Sequence, residues 1–288
     1  MAIMYNQLHV DEQYADKLEA NLYYGSVLVP GVTCDDSYTV GPAGGIYVHK
    51  LSTGSVEPGK PGRDFQDEAI ADDLIPILLN NNFQKSKKLY GVQAAAVDAN
   101  LKDATLAAAQ AEVKEGWQSS GVAALVDQAT ACADTTVPTV ENAKDLVIDA
   151  RKEIVSDKGT ADVVLCSPSF YALILKGAGK DFLPTTNDKI AASGNVGVFL
   201  GMTWIEANTM VQKAVKYYDH TGTLKTVDMS GVDFVIYNHE TLSTVTNYDM
   251  ARLIDSEMFS GSKAQVEQNS GYRVRNNKLA RVHKGVAA

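Results

Sequence analysis

Residues 67–97 read DEAIADDLIPILLNNNFQKSKKLYGVQAAAV, and the rest of the chain is organised around them. Leu74, Ile75, Ile77, Leu78 and Leu79 form an apolar segment with side chains on both faces. It runs through Asn80, Asn81 and Asn82, meets a basic knot of Lys85, Lys87 and Lys88, and enters an alanine-rich stretch. An extended polar arm that feeds one long helix is the simplest reading. No catalytic constellation accompanies it. Such an arm suits a protein that builds contacts with copies of itself better than it suits an enzyme.

Working upstream, residues 26–32 (SVLVPGV) read as a short strand, and Ile46 to Leu51 as an alternating one. Gly41, Pro42, Gly44 and Gly45 precede the second strand, and Gly54, Pro58, Gly59, Pro61 and Gly62 follow it. Glycine and proline at this density mark turns. Together with residues 67–88 this makes a long two-stranded excursion with little apolar mass at its tip. An isolated hairpin is marginal in water, so this one has to lie on its own chain or on a neighbour. Further upstream, Tyr14, Ala15, Leu18 and Leu22 share one helical face over 11–24, with acids at its start and Gly25 at its end. That segment reads as a terminal arm.

Downstream, the spacing predicts the strongest helix over 89–117. Val92, Ala99, Leu106 and Val113 recur every seven residues. Val97, Leu101, Ala104, Ala108 and Ala111 make a second stripe about 140° away. Two stripes mean packing on two sides, and alanine carries the best helix propensity. Gly116 weakens the helix end. A shorter helix from Trp117 to Ala129 is expected after a break at Ser119, Ser120 and Gly121.

Residues 130–139 are small and polar, and an α/β alternation follows. Thr139 caps a helix to about Ser156, which Gly159 ends. Asp162 to Cys166 is a buried strand. Ser167 and Pro168 open a helix that Gly177 stops. Met202 to Glu206 and Asp233 to Tyr237 are strands, and 213–227 is a hairpin turning at His220, Thr221 and Gly222. From about 247 long strands return. Residues 262–283 carry two alternating runs split by Asn276 and Asn277, which predicts an antiparallel hairpin or meander.

With 288 residues the chain can bury a large core. It is 45% hydrophobic and 21% charged, with a formal net charge of −9. That balance argues against nucleic-acid gripping as the main task, because phosphate binding needs a concentrated positive field. Cys34, Cys132 and Cys166 stand far apart without a C-x-x-C, which argues against a disulfide scaffold or a zinc site and for three small buried thiols. The start, MAIMYNQLHVDEQ, lacks a signal-peptide pattern, and no apolar run approaches the roughly 20 residues of a membrane span.

Candidate chemistry is sparse. His239 and Glu240 are adjacent, but acid–base work also needs an orienting group and a pocket. The pair therefore reads as a surface turn. Asp64, Asp67, Glu68, Asp72 and Asp73 lack calcium-loop spacing and read as a solvated face. Gly194, Gly197 and Gly201 form no phosphate-cradling motif. Ser167 has no nucleophile-elbow context and reads as a cap. Arg273, Arg275, Lys278, Arg281 and Lys284 follow one another with no acid between them. They can face nucleic acid or neutralise a neighbour's acids, and the acidic chain favours the second. No catalytic, cofactor-binding or metal-binding set emerges.

The phrases IPILLNNNFQKSKKLYGVQAAAV (75–97), ADVVLCSPSFYALILK (161–176), GNVGVFLGMTWIEAN (194–208), VDFVIYNHETLS (232–243) and MARLIDSEMFSGSKAQVEQNSGYRV (250–274) resemble, in content and order, those of tailed-bacteriophage major capsid proteins with the Hong Kong 97-type fold. The resemblance implies an α+β chain. Its parts would be an N-terminal arm (1–35), an extended β-hairpin loop (36–88), a peripheral domain with a long spine helix (89–133), an axial α/β domain (134–247), and a return to the peripheral domain (248–288). It implies a non-enzymatic shell subunit that assembles with itself as hexamers and pentamers around double-stranded DNA, in the host bacterial cytoplasm, and resides in the virion. A portal and a decoration protein are partners in such a shell. Because the helical arm begins close to Met1, a separate scaffolding protein is expected in place of a cleaved leader. Ile46, Val48, Leu74, Ile77 and Leu79 become the expected intersubunit contacts of the loop, the 273–284 cations an interior basic surface, and Gly91 and Gly116 hinges at the two ends of the spine. No covalent crosslink through Lys50 or Lys60 is expected. An encapsulin-like compartment shares the implied fold, and a soluble α/β enzyme built on 134–247 is the reading from another class.

Overall fold

The computed structural model describes residues 27–38, 44–51, 72–90, 101–178, 195–255 and 258–285. The expected helix at 11–24, the loop between 52 and 71, and the stretch 91–100 with Gly91 lie outside them. The chain forms two compact units, one of residues 24–83, 114–249 and 268–288, the other of residues 1–23, 84–113 and 250–267. Several long elements pass from one unit into the other.

The first unit is built on a six-stranded sheet. Its strands are β4 (Thr130–Ala131), β13 (Ala280–His283), β10 (Phe234–Tyr237), β5 (Val163–Cys166), β7 (Met202–Glu206) and β6 (Asn195–Phe199), in that spatial order. β5 and β7 are parallel, and β10 is antiparallel to both β5 and β13. Strand periodicity sends alternate residues to opposite faces. Val163, Leu165, Val235, Tyr237 and Ile205 enter one core with Trp117 and residues 122–126. Val164, Cys166, Phe234, Ile236 and Trp204 enter the other, beneath helices α2 (Ala143–Ser156) and α3 (Pro168–Ala178). Covered on both faces, β5 and β10 read as continuous apolar runs, which is why the sequence marks them clearly.

Local signals hold at α3. Pro168 is its first residue, and the Ser167 hydroxyl accepts from the Phe170 N–H at 3.3 Å. They shift at α2, where Thr139 precedes a turn and the helix begins at Ala143. Its end is made by Lys158, whose φ is 62°, while the Gly159 N–H returns to the Ile154 carbonyl. The hairpin of β8 (Val215–Tyr218) and β9 (Leu224–Val227) turns as expected, with the Asp219 carboxylate accepting from the backbones of Thr221 and Thr223.

Four expectations are corrected. Residues 27–34 make a tight turn and no regular strand: Gly31 donates to the Cys34 carbonyl, and Thr33 holds the Val29 N–H at 2.7 Å. Leu89 and Tyr90 end strand β3 (Asn81–Tyr90) and do not start a helix. The long helix α1 (Leu101–Gln128) runs unbroken through Ser119, Ser120 and Gly121. Gly121 is a packing notch there, because a Cβ would lie 2.5 Å from Leu28 Cδ1 and 2.9 Å from Tyr272 Cε1. Finally, β12 (Gly261–Val274) does not pair with β13. It lies between β11 (Leu242–Asp255) and β3 in a three-stranded sheet, and the turn at Asn276–Leu279 carries the chain into the six-stranded one. The polar positions of β13 misled, because Arg281 and His283 are buried against acids and not open to water.

In the second unit, Lys85 and Lys87 on β3 grip Glu112 on α1 at 2.8 and 2.5 Å. Arg252 on β11 donates to Gln265 on β12, and Ser262 to Asp255. Partner numbers that fall as the others rise mark β11 and β12 as antiparallel. Two of the three lysines of the opening stretch's basic knot thus clamp a helix.

Candidate functional site

The extended hairpin pairs β1 (Gly45–Leu51) antiparallel with β2 (Asp72–Leu78), Ile46 opposite Ile77 and Tyr47 opposite Pro76. Opposed residues share a face. One face therefore carries Ile46, Val48, Ile75 and Ile77. The other carries Tyr47, His49, Leu74 and Pro76, with His49 and Asp72 paired at 2.6 Å. Pro76 has no N–H to donate, and a ribbon that pairs with no third strand among the described residues tolerates it.

Burial divides the expected contact residues along these faces. Ile77 is wholly buried and Leu79 nearly so, both against Val245 of the same chain, with Ile46, Val48 and Tyr38 packed around them. A buried Ile is worth about 1.5–3 kcal/mol to its own fold. Ile77 and Leu79 therefore root the hairpin in its own chain, against Val245. Leu74 is 54% exposed and Tyr47, which the sequence reading passed over, is 66% exposed. The parity of Ile46, Tyr47 and Val48 was the available signal: if the flanking residues face inward, Tyr47 faces out.

Asparagines fasten the root. Asn81 Nδ2 donates to the Tyr218 carbonyl at 3.1 Å, and Asn81 Oδ1 accepts from the Tyr218 N–H at 2.8 Å. Asn80 Nδ2 donates to the Asp219 carbonyl at 3.0 Å. The Asn81 amide imitates a neighbouring strand and ties the hairpin to β8.

The five cations do not form one surface. Arg281 is buried, its Nε 3.0 Å from Glu153 and its Nη2 2.5 Å from Asp157. Arg275 is bound to Asp35 at 2.7 Å, to the Tyr38 hydroxyl and to the Glu240 carbonyl. Both neutralise acids, as the acidic composition favours, but the acids belong to the same chain. Arg273 is half-buried, and burial lowers its guanidinium pKa. Lys278 and Lys284 are exposed. Gly116 lies inside α1, twelve residues before its end at Gln128, with a would-be Cβ 3.5 Å from Phe83.

Chemistry elsewhere is structural. His239 does have an orienting partner, Asp162, which holds both its ring nitrogen and its backbone N–H. The pair fastens the 239–241 turn to the start of β5. A cleft of about 360 Å³ nearby is lined by Val48, Ile75, Asn238, Glu240, Arg275 and others, but His239 is not among its walls. Ser167 is a cap. All three thiols are buried and unbridged, and burial pushes Cys34 up to about 11 and Cys132 up to about 12, far from nucleophilic. Among the described residues no group of three acids, histidines or cysteines is placed to hold a metal. No helix among them is long and apolar enough to cross a membrane.

No family model matches the sequence, and no curated protein does. Solved structures do match over nearly the whole chain. A chain of Mycobacterium phage Che8 is 17% identical, with 97% of this chain and 98% of that one covered at a TM-score of 0.71. A chain of the mature capsid of bacteriophage PhiM1 is 13% identical, with 96% and 92% covered at 0.67. A chain of the capsid of cyanophage P-SCSP1u is 11% identical, with 96% and 93% covered at 0.69. At these identities the likeness establishes a shared fold: this mixed α+β chain is folded like phage capsid chains.

Proposed function

We propose that the protein is the major capsid protein of a tailed bacteriophage, with the Hong Kong 97-type architecture, and that it assembles with itself as hexamers and pentamers into an icosahedral shell around double-stranded DNA. The observation that carries this is end-to-end likeness: 97% of this chain aligns with 98% of the Che8 chain, and 96% with 92% of a chain of the PhiM1 mature capsid. The hairpin supports it. Its inner face is rooted in its own subunit, and its outer face exposes Tyr47 and Leu74.

In this reading residues 1–35 are the arm, 36–88 the intersubunit loop, 89–133 and 248–288 the peripheral domain around α1, and 134–247 the axial domain. Each loop adds apolar contact and edge pairing on a neighbour. Individually modest contacts multiply over the copy number of a closed shell. Gly91 and Gly116 supply angular play along the spine. Lys278 and Lys284 are the cations left for the DNA side, so DNA is held weakly and without sequence preference. A scaffolding protein, a portal and a decoration protein complete the particle, which is built in the host cytoplasm and resides in the virion. Sedimentation velocity of the purified chain tests this: concentration-dependent formation of megadalton species supports it, and a discrete monomer or dimer at all concentrations contradicts it.

A further inference from the structure

The cleft of about 360 Å³ beside the 239–241 turn has one wall on the hairpin and the other on the body of the same compact unit. Val48 and Ile75, cross-strand partners on the inner face of the hairpin, are half-buried and line it. Leu279 adds a third apolar side chain from the body. Lys50 stands two residues beyond Val48 on the same face of the hairpin. Lys158 stands on the body wall, where the chain leaves α2 with a φ of 62°. Among the described residues neither ammonium has an acceptor. Arg275 and His49 also line the cleft, but Asp35 and Asp72 already hold them. Glu240 is the one carboxylate among the described lining residues. The cleft is therefore partly apolar and carries surplus positive charge, on a chain whose net charge is −9.

A volume of this size falls at the small end of ligand pockets, which run from about 300 to 1,000 Å³ and join apolar walls to a few placed polar groups. We propose that the cleft binds a small amphipathic anion, its carboxylate or phosphate head between Lys50 and Lys158 and its aliphatic body along Val48, Ile75 and Leu279. Charge-assisted hydrogen bonds fix the head, and burial of the body adds affinity. A duplex offers phosphates without an apolar body, and a cleft of this volume does not admit it. One ammonium belongs to the hairpin and the other to the body, so the bound anion ties the two together just outside the Ile77 root. Binding requires only a single chain, and it holds or fails apart from shell assembly.

Calorimetric titration of the full-length chain with octanoate and with octyl phosphate tests this. At least one of them should bind once per chain, and whichever binds more tightly identifies the head group. Octylamine, which reverses the charge, and inorganic phosphate, which lacks the body, should each bind at least roughly tenfold more weakly. Shortening the chain to hexyl should weaken binding by roughly threefold or more. Lys50→Ala with Lys158→Ala should weaken binding by roughly tenfold or more while leaving the melt of the ligand-free chain unchanged. Glu240→Gln should tighten it, because the one opposing carboxylate is gone. Hydrogen exchange should slow on binding in both the 45–51 and 158–160 segments, one on each wall. Absence of binding by both probes at millimolar concentration overturns the site. So does equal affinity for octylamine, unchanged affinity in the double lysine variant, or slowed exchange confined to other segments, each of which marks unspecific apolar contact.

Discussion

The side-chain amide of Asn81 both donates to and accepts from the backbone of Tyr218, at 3.1 and 2.8 Å. Two residues 137 positions apart are thereby joined as two strands would be. With Asn80 on the Asp219 carbonyl, this fixes the root of the extended hairpin against β8 and the turn that follows it. Asn81 is buried, so its loss leaves two backbone groups of Tyr218 unsatisfied. Asn81→Leu should destabilise the unassembled subunit by about 2–3 kcal/mol, read as a lower urea midpoint at unchanged m-value. Asn81→Asp keeps the acceptor and loses the donor, and its defect should grow as pH rises and the new carboxylate ionises against the Tyr218 carbonyl.

The hairpin's two faces should respond oppositely to charge. Ile77→Asp places a carboxylate in a dry cluster with Val245 and should cost at least about 3 kcal/mol, seen as poor soluble yield or a collapsed melt. Tyr47→Asp and Leu74→Asp alter the exposed face and should leave the melt within about 0.5 kcal/mol of wild type while blocking assembly. Normal assembly by both outer-face variants would remove this face from the interface.

Gly121 and Gly116 should also part company. Alanine gains roughly 1 kcal/mol over glycine inside a helix. At Gly121 that gain meets Leu28 and Tyr272 under 3.0 Å away, so Gly121→Ala should destabilise by about 1–3 kcal/mol. At Gly116 the nearest neighbour, Phe83 at 3.5 Å, is an ordinary contact, so Gly116→Ala should stabilise the free subunit. If Gly116 supplies angular play, the same variant should close shells less efficiently; faster melting of the free subunit or unimpaired closure would each count against this account.

Hydrogen bonds from Lys85 and Lys87 hold the Glu112 carboxyl below its ordinary value of 4.5. A carboxylate depressed by folding contributes its stability above its unfolded pKa and loses it as pH falls through the lower folded value. Glu112→Gln should therefore cost about 1 kcal/mol at neutral pH, with the difference from wild type closing as pH drops below about 4.5. Paired thermal melts between pH 7 and pH 3 measure it. A gap that stays constant with pH would show that the two lysines do not act through charge.

Legibility followed burial. β5 and β10 were readable because both faces are covered and every residue is apolar. Ser167 and Pro168 were readable because capping is local. Gly121 misled because a long-range neighbour, Tyr272, decides its meaning, and the same glycine that loosens an isolated helix here admits a ring. Arg281 misled because its acids, Glu153 and Asp157, lie on another element. For the expected loop contacts, the sequence did not reveal which residues face inward. Ile77 and Leu79 are as apolar as Leu74, and only the register with β1 and the position of Val245 separate root from outer face.

Negative-stain microscopy of the purified full-length chain bears most directly on the central claim. Polyhedral shells with hexameric and pentameric clusters are the predicted result. A uniform field of small, discrete particles across concentration, salt and added scaffolding protein would contradict it.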